Sequence, residues 1–300
     1  MQTHPLRIYF SFGRLWTIAR NTMTEIIRQK FFYILVIFAV VVLVSSRYFS
    51  QFSMQDLDQV KFVKDFGLAA IKIFGTLIAI VGAAQLLHLE LENRTIYPIL
   101  AKPVFRGEFL LGKYLGMIAL LLLTTLMMSA IFGGVLFYTE HQLLATAGRG
   151  EMLPVGVGYQ MATPEVVQQI IKQTRDPNLL KAIALIYFQF VIVSSIGLLI
   201  ATFATSVIFN VIATVMIYLC GHLESTARQA WLGDPSPVTK FMLLIITFFV
   251  PDLSAFDIVD SVVLGQAVPL NLVIRTIGYG IFYSAIVLGV AWCIFQEKEI

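Results

Sequence analysis

Apolar residues in this chain come in runs far longer than the alternation of a half-buried strand or the stripe of an amphipathic helix. Windows without charge locate the predicted membrane spans, because a crossing helix needs about 20 apolar residues with few charges. Residues 31–46 lie between Lys30 and Arg47; the span predicted there, 31–49, is short and uses its basic flanks as snorkelling anchors. Residues 66–87 contain one charge, Lys72, and residues 114–138 contain none. Forty positions from 182 to 221 pass without a charge, which is two spans' worth. Thr202, Thr205, Ser206 and Asn210 cluster near their middle, so the pattern predicts a tight helical hairpin with spans at 182–203 and 207–223. A last span is predicted at 272–295, with Arg275 near its start. The apolar run 241–250 has ten residues and stops at Pro251, which fits a re-entrant or interfacial helix better than a span. The chain therefore reads as one all-α polytopic membrane domain over residues 1–300, with six transmembrane helices.

Charge then sets the expected orientation. The first thirty residues hold Arg7, Arg14, Arg20, Arg28 and Lys30 against one acid, Glu25, and the loop between spans two and three adds Arg94, Lys102, Arg106 and Lys113. By the positive-inside rule both termini are expected in the cytoplasm, with 139–181 and 222–271 on the outer side. Ile8, Phe12, Leu15, Ala19 and Ile26 recur at helical spacing, opposite Arg7, Ser11, Arg14, Asn21 and Arg28. This predicts a helix lying in the cytoplasmic interface. Thirty largely polar and basic residues precede the first apolar run without a small-residue cleavage pattern, so the start does not read as a cleavable signal. In the outer segment, residues 148–158 are turn-rich, and Thr163-Pro164 begins a short predicted helix with an apolar stripe of Val166, Val167, Ile170 and Ile171.

Composition narrows the function classes. The 300 residues are 58% hydrophobic and 13% charged, with mean hydropathy +0.83, against about 25% charged residues in globular chains. A soluble enzyme is excluded on that ground. Twenty-one basic against eighteen acidic side chains leave a formal charge of +3, too small and scattered for a nucleic-acid footprint. Cys220 and Cys293 fall near opposite faces of the predicted bilayer, too far apart for a disulfide.

Several patterns suggest chemistry and then fall short of it. Residues 107–113 match the first seven positions of a phosphate-binding loop, but Tyr114 replaces the hydroxyl residue that would hold magnesium and no strand precedes them. No nucleotide is expected on this chain. His88-Leu89-Glu90 and His222-Leu223-Glu224 repeat a His-x-Glu spacing, without the second cysteine pair that zinc signatures need; no metal site is expected. Asp252, Asp257 and Asp260 form an acidic cluster, and Asp257 with Asp260 resembles half of the paired aspartate motifs of magnesium-dependent membrane prenyltransferases. A lipid-modifying enzyme using Asp257 and Asp260 is therefore an alternative from another class. An ion-coupled carrier is a further one, although the internal repeats and midplane charges expected of carriers are missing. Lys72 sits about 9 Å into its span at 1.5 Å per residue, where a basic group is costly to insert. It is a candidate for the translocation path.

Residues 90–116 are the most informative stretch. Charged positions at 90–95 are followed by a proline-bounded turn at 98–103 and a short predicted helix from Gly107, giving a compact cytoplasmic element that a soluble partner could push. Through Glu90, Glu92, Arg94, Thr95, Pro103, Val104, Arg106, Gly112 and Lys113 the sequence resembles the permease subunits of type-2 ABC exporters. The likeness extends along the chain to the segment 251–257 and the charged end 296–300, and departs at Ile96, Tyr97 and the long outer segment 139–181. The resemblance implies a permease that is not itself catalytic and that uses ATP and magnesium held by a separate subunit. It implies two ABC ATPase subunits as partners, a second permease copy or relative, and a bilayer environment, the cytoplasmic or inner membrane. The element 88–113 would be the coupling element, with Glu90, Glu92, Arg94, Thr95, Pro103, Arg106 and Lys113 facing the ATPase subunit. The outer segment could dock accessory subunits.

Overall fold

A computed structural model describes residues 11–52, 59–92, 106–149, 153–154, 159–160, 164–232 and 250–297. The described chain is almost entirely helical. Helix α1 covers Phe12–Ile27, α2 Lys30–Phe52, α3 Gln59–Glu92, α4 Arg106–Gly148, α5 Pro164–Thr174, α6 Asn178–Phe203, α7 Val207–Leu232, α8 Val259–Val263 and α9 Leu270–Glu297. The exception is a minimal antiparallel hairpin, β1 Leu153–Pro154 with β2 Tyr159–Gln160, in the stretch read as turn-rich. Helices α3, α4, α6, α7 and α9 are each long and apolar enough to cross a bilayer. The pair α1 and α2, bent by 68°, supplies the sixth candidate span.

Backbone polar groups have no water partner in hydrocarbon, so long apolar stretches must satisfy them internally as helices. The helices nevertheless outrun the charge-free windows. Helix α4 has 43 residues, about 65 Å at 1.5 Å per residue, against a hydrocarbon core of about 30 Å. It therefore carries charged turns beyond the core: Glu108 and Lys113 near its start, Glu140 near its far end. Helix α3 similarly begins at Gln59, taking in Lys61, Lys64 and Asp65.

Helix α6 is the centre of the bundle. It packs on α3 and α9, and most of its apolar window is buried, whereas α7 and α9 keep most of theirs exposed. The turn between α6 and α7 falls at 204–206, with Ala204 extended. Thr202 does not break α6; its Oγ1 donates to Leu199 O at 2.6 Å. Asn210 is fully buried and ties the two helices together, its Nδ2 donating to Gly197 O at 3.1 Å. The polar cluster thus holds a hairpin closed as well as marking its turn.

The run 241–249 lies outside the described residues. The segment from Pro251 to Asp257 is packed into the bundle. Leu253, just before a short 3-10 turn, Ser254–Phe256, and Phe256 at the end of that turn are fully buried. Leu253 N donates to Gly221 O on α7 at 3.0 Å, and a Cβ at Gly221 would lie 2.8 Å from Pro251 O, so a glycine there is what lets this segment approach α7.

Candidate functional site

Two clusters of charge mark the two ends of the bundle. The first gathers α1, the start of α4 and the end of α9. Helix α1 turns Ala19, Thr22 and Ile26 inward, and they pack on α4, while Phe12 and Trp16 remain exposed. The apolar face of α1 is thus covered by the protein's own helix, and the aromatic residues left outside are suited to an interface. Contact is close because α4 presents Gly112 and Gly116, four residues apart. A Cβ at Gly116 would lie 2.4 Å from Ala19 O, and one at Gly112 would lie 2.8 Å from Ile18 Cβ. This is the small-residue spacing that lets helices in membranes approach.

Glu108 fixes the start of α1 on this seam. Its side chain is fully enclosed and Oε1 accepts from Ser11 N at 2.6 Å and from Arg14 NH2 at 3.1 Å. A carboxylate receiving the first backbone N–H of the helix region both satisfies an orphan donor and suits the positive end of the helix dipole. Lys113 is enclosed too, its Nζ 3.1 Å from Glu25 Oε2 and over the Phe109 ring at 5.9 Å. Arg106 reaches the other way: NH1 donates to Phe295 O at 3.3 Å and Gln296 O at 2.9 Å. A cation on the last carbonyls of α9 complements that helix dipole. Phe109 and Phe295 stack beside it at 6.2 Å.

Of the residues expected to face an ATPase subunit, Arg106 and Lys113 therefore belong to the joint between helices. Lys113 is buried, and its ammonium meets α1 through Glu25. Glu90 and Glu92 fall in the last turn of α3, with their side chains outside the described ones. Arg94, Thr95, Pro103 and Val104 lie outside the described residues. The seven residues that resemble a phosphate-binding loop are the opening turns of α4, and the close packing of α1 accounts for Gly112.

The second cluster lies at the opposite end. Lys72 on α3 is ion-paired and hydrogen-bonded with Asp257, the residue after the 3-10 turn. Asp257 Oδ1 also accepts from Val259 N at 3.4 Å, at the start of α8. Asp252 is engaged by its own turn, accepting from Ser254 Oγ at 2.6 Å and Ala255 N at 3.2 Å. His222 on α7 lies within electrostatic reach of Lys72, Asp257 and Asp252, and Asp65 within reach of Asp257 and Asp260. Gln189, fully buried on α6, places Nε2 3.0 Å from His222 Nε2, while His222 Nδ1 lies 3.2 Å from Tyr218 O. The consistent tautomer has Nδ1–H donating to Tyr218 and Nε2 accepting from Gln189. His222 is thus spoken for by its neighbours, and among the described residues no three His, Cys, Asp or Glu side chains are grouped to hold a metal.

Sequence reasoning singled out Lys72 and Asp257 separately and did not pair them. It also missed the clamp of Ser11, Arg14 and Glu108. The available signal was a lone acid, Glu108, between Arg106 and Lys113 in the opening of α4, together with a lone acid, Glu25, on a basic helix.

Several long apolar helices packed around a buried central one define a multi-pass membrane protein. The chain matches the model of the ABC-2 family transporter proteins over residues 16–223, more than half of its length, and belongs to that family. No curated protein matches it. It is accordingly a permease component of an ABC transporter, and membership implies association with an ABC ATPase subunit.

Proposed function

We propose that this chain is the membrane-spanning subunit of an ATP-driven exporter in the cytoplasmic (inner) membrane, with both termini in the cytoplasm. Two ATPase subunits supply the energy, and a second permease, of this chain or a relative, completes the pore. The observation that carries the reading is the interlocked joint at the basic end. When the ATPase subunits close, the element 88–113 is displaced; α4 takes α1 with it through Glu108 and Gly116, and draws on the end of α9 through Arg106. Substrate is moved outward or extracted from the bilayer along a route that includes Lys72.

Glu92→Lys combined with Arg94→Glu tests the coupling role of Glu90, Glu92, Arg94, Thr95 and Pro103. Membrane insertion should survive, while attachment of the ATPase subunit, or its coupling to transport, is lost; a pull-down and an ATPase assay in membranes read both. Full binding and coupled activity in that double variant would remove the assignment. Cysteines at positions 150 and 235 should react with a membrane-impermeant reagent from outside, and cysteines at 3 and 298 after permeabilisation alone. The pairing of Asp257 with Lys72 favours this reading over a lipid-modifying enzyme using Asp257 and Asp260, because the carboxylate already serves an ammonium. Magnesium-dependent turnover of lipid by the isolated chain would reverse that preference.

A further inference from the structure

A groove of about 520 Å³ runs between α4 and α6 at the end of the bundle opposite the basic joint. On α4 it extends from Leu126 to Glu140, about 21 Å at 1.5 Å per residue, enough to cover one leaflet of a hydrocarbon core about 30 Å thick. Its walls are apolar, and Leu126, Phe137 and Leu180 on them are exposed. The floor opens at Gly133, where an added Cβ would meet nothing within 4 Å.

The polar groups of this groove sort into two sets. Those along its length are satisfied within their own helices: Ser129 Oγ donates to Leu126 O at 2.9 Å and Thr174 Oγ1 to Ile170 O at 2.9 Å. Those at its mouth are not. Arg175 reaches Glu140 with Nε and NH2, at 3.1 and 2.8 Å to Oε1. Glu140 is 3% exposed, whereas the Arg175 side chain is 65% exposed. A guanidinium has five N–H donors, so NH1 and one NH2 hydrogen have no partner among the described residues. Next to it, Asp176 uses Oδ1 to accept from Asn178 N at 2.9 Å, and its Oδ2 has no partner among the described residues. The Arg175 donors left over from Glu140 and the Asp176 carboxylate beside them, at the mouth of an apolar trough, complement a phosphate and an ammonium joined to a hydrocarbon chain.

We propose that this groove binds a bilayer phospholipid with a zwitterionic, primary-amine headgroup. One acyl chain lies along α4 past Gly133, the phosphate accepts from the remaining Arg175 donors, and the ammonium donates to Asp176. The site stands apart from the coupling joint and does not depend on the direction of transport.

Native mass spectrometry of the full chain, purified with its ATPase subunit, tests this with three lipids of identical chains: phosphatidylethanolamine, phosphatidylglycerol and diacylglycerol. Phosphatidylethanolamine should be retained about tenfold better than diacylglycerol, the scale of one charge-assisted hydrogen bond retained or lost. Gly133→Phe fills open space and should abolish retention of all three. Arg175→Gln should reduce phosphatidylglycerol to the level of diacylglycerol and weaken phosphatidylethanolamine, and Asp176→Asn should remove the preference for ethanolamine over glycerol. Arg175→Gln also strips Glu140 of its partner; Gly133→Phe and Asp176→Asn leave that pair intact and decide the matter where it fails to fold. Soluble phosphoethanolamine should not compete with the lipid. Undiminished retention in Gly133→Phe, equal retention of diacylglycerol, a preference for phosphatidylglycerol, or a change of oligomeric state in Gly133→Phe showing a second copy in the groove would each overturn the proposal.

Discussion

At the basic end of the bundle Glu108 is wholly enclosed and Lys113 is 2% exposed, whereas Lys72 and Asp257 have side chains 16% and 35% exposed. The basic end joins helix to helix over a glycine seam; the opposite end joins a helix to a short turn. A pair with an enclosed member is costly to open, because the desolvated charge is left without a partner. A pair with neither member enclosed leaves no fully buried charge behind when it opens. By this measure the Glu108 joint is held more firmly than the Lys72–Asp257 contact, while Arg175 with the 3% exposed Glu140 is a second firm pair, at the opposite end.

The largest effect should follow from Glu108→Ala. It leaves Ser11 N and Arg14 without their acceptor and should cost about 2–3 kcal/mol, the scale of hydrogen bonds to a charged group that is removed from a buried site. Limited proteolysis at α1 and thermal unfolding in detergent measure it. Unchanged resistance of α1 would erase the contrast between the ends. Somewhat smaller is Gly116→Leu, in which the new Cβ meets Ala19 O; overpacking of this kind costs about 1–3 kcal/mol. The same two assays should show α1 displaced, with α6 and α7 unaffected.

Lys72→Met and Asp257→Asn should each change stability by about 1 kcal/mol or less, and a double-mutant cycle should give a coupling of about 0.2–1 kcal/mol. Transport, measured in proteoliposomes, should change more than stability does. A coupling well above that range would make this pair as fixed as the one at Glu108. Arg106→Gln should have an effect of similar size, about 0.5–1.5 kcal/mol for its bonds to the α9 carbonyls, since Phe109 and Phe295 continue to hold the two helices together. Faster hydrogen exchange in the last turn of α9 is its expected signature.

The apolar runs identify the helices that cross the bilayer because hydrocarbon offers no alternative partner for the backbone, so length and hydropathy are sufficient. The turn at 204–206 is readable for the same reason, as the one place in forty uncharged residues where polar side chains gather. Helix ends are less readable. Lys64, a charge that closes the hydropathy window, is 1% exposed inside the folded chain, and helix α4 carries Glu108 and Glu140 on turns that continue past the core.

Side-chain partnership is a property of the tertiary structure alone. Arg14 and Glu108 are 94 positions apart, Lys113 and Glu25 are 88, and Lys72 and Asp257 are 185. No local period connects such pairs, and which charges meet depends on how the helices pack and cross. The sequence by itself therefore determined that the chain lies in a membrane, where it crosses, and which family's coupling loop it resembles. Packing decided that Lys113 is enclosed beside Glu25, that α1 rides on α4, and that Lys72 is answered by Asp257. The physical reason is that solvent dictates secondary structure residue by residue, whereas a buried charge is tolerated only where another part of the chain arrives to meet it.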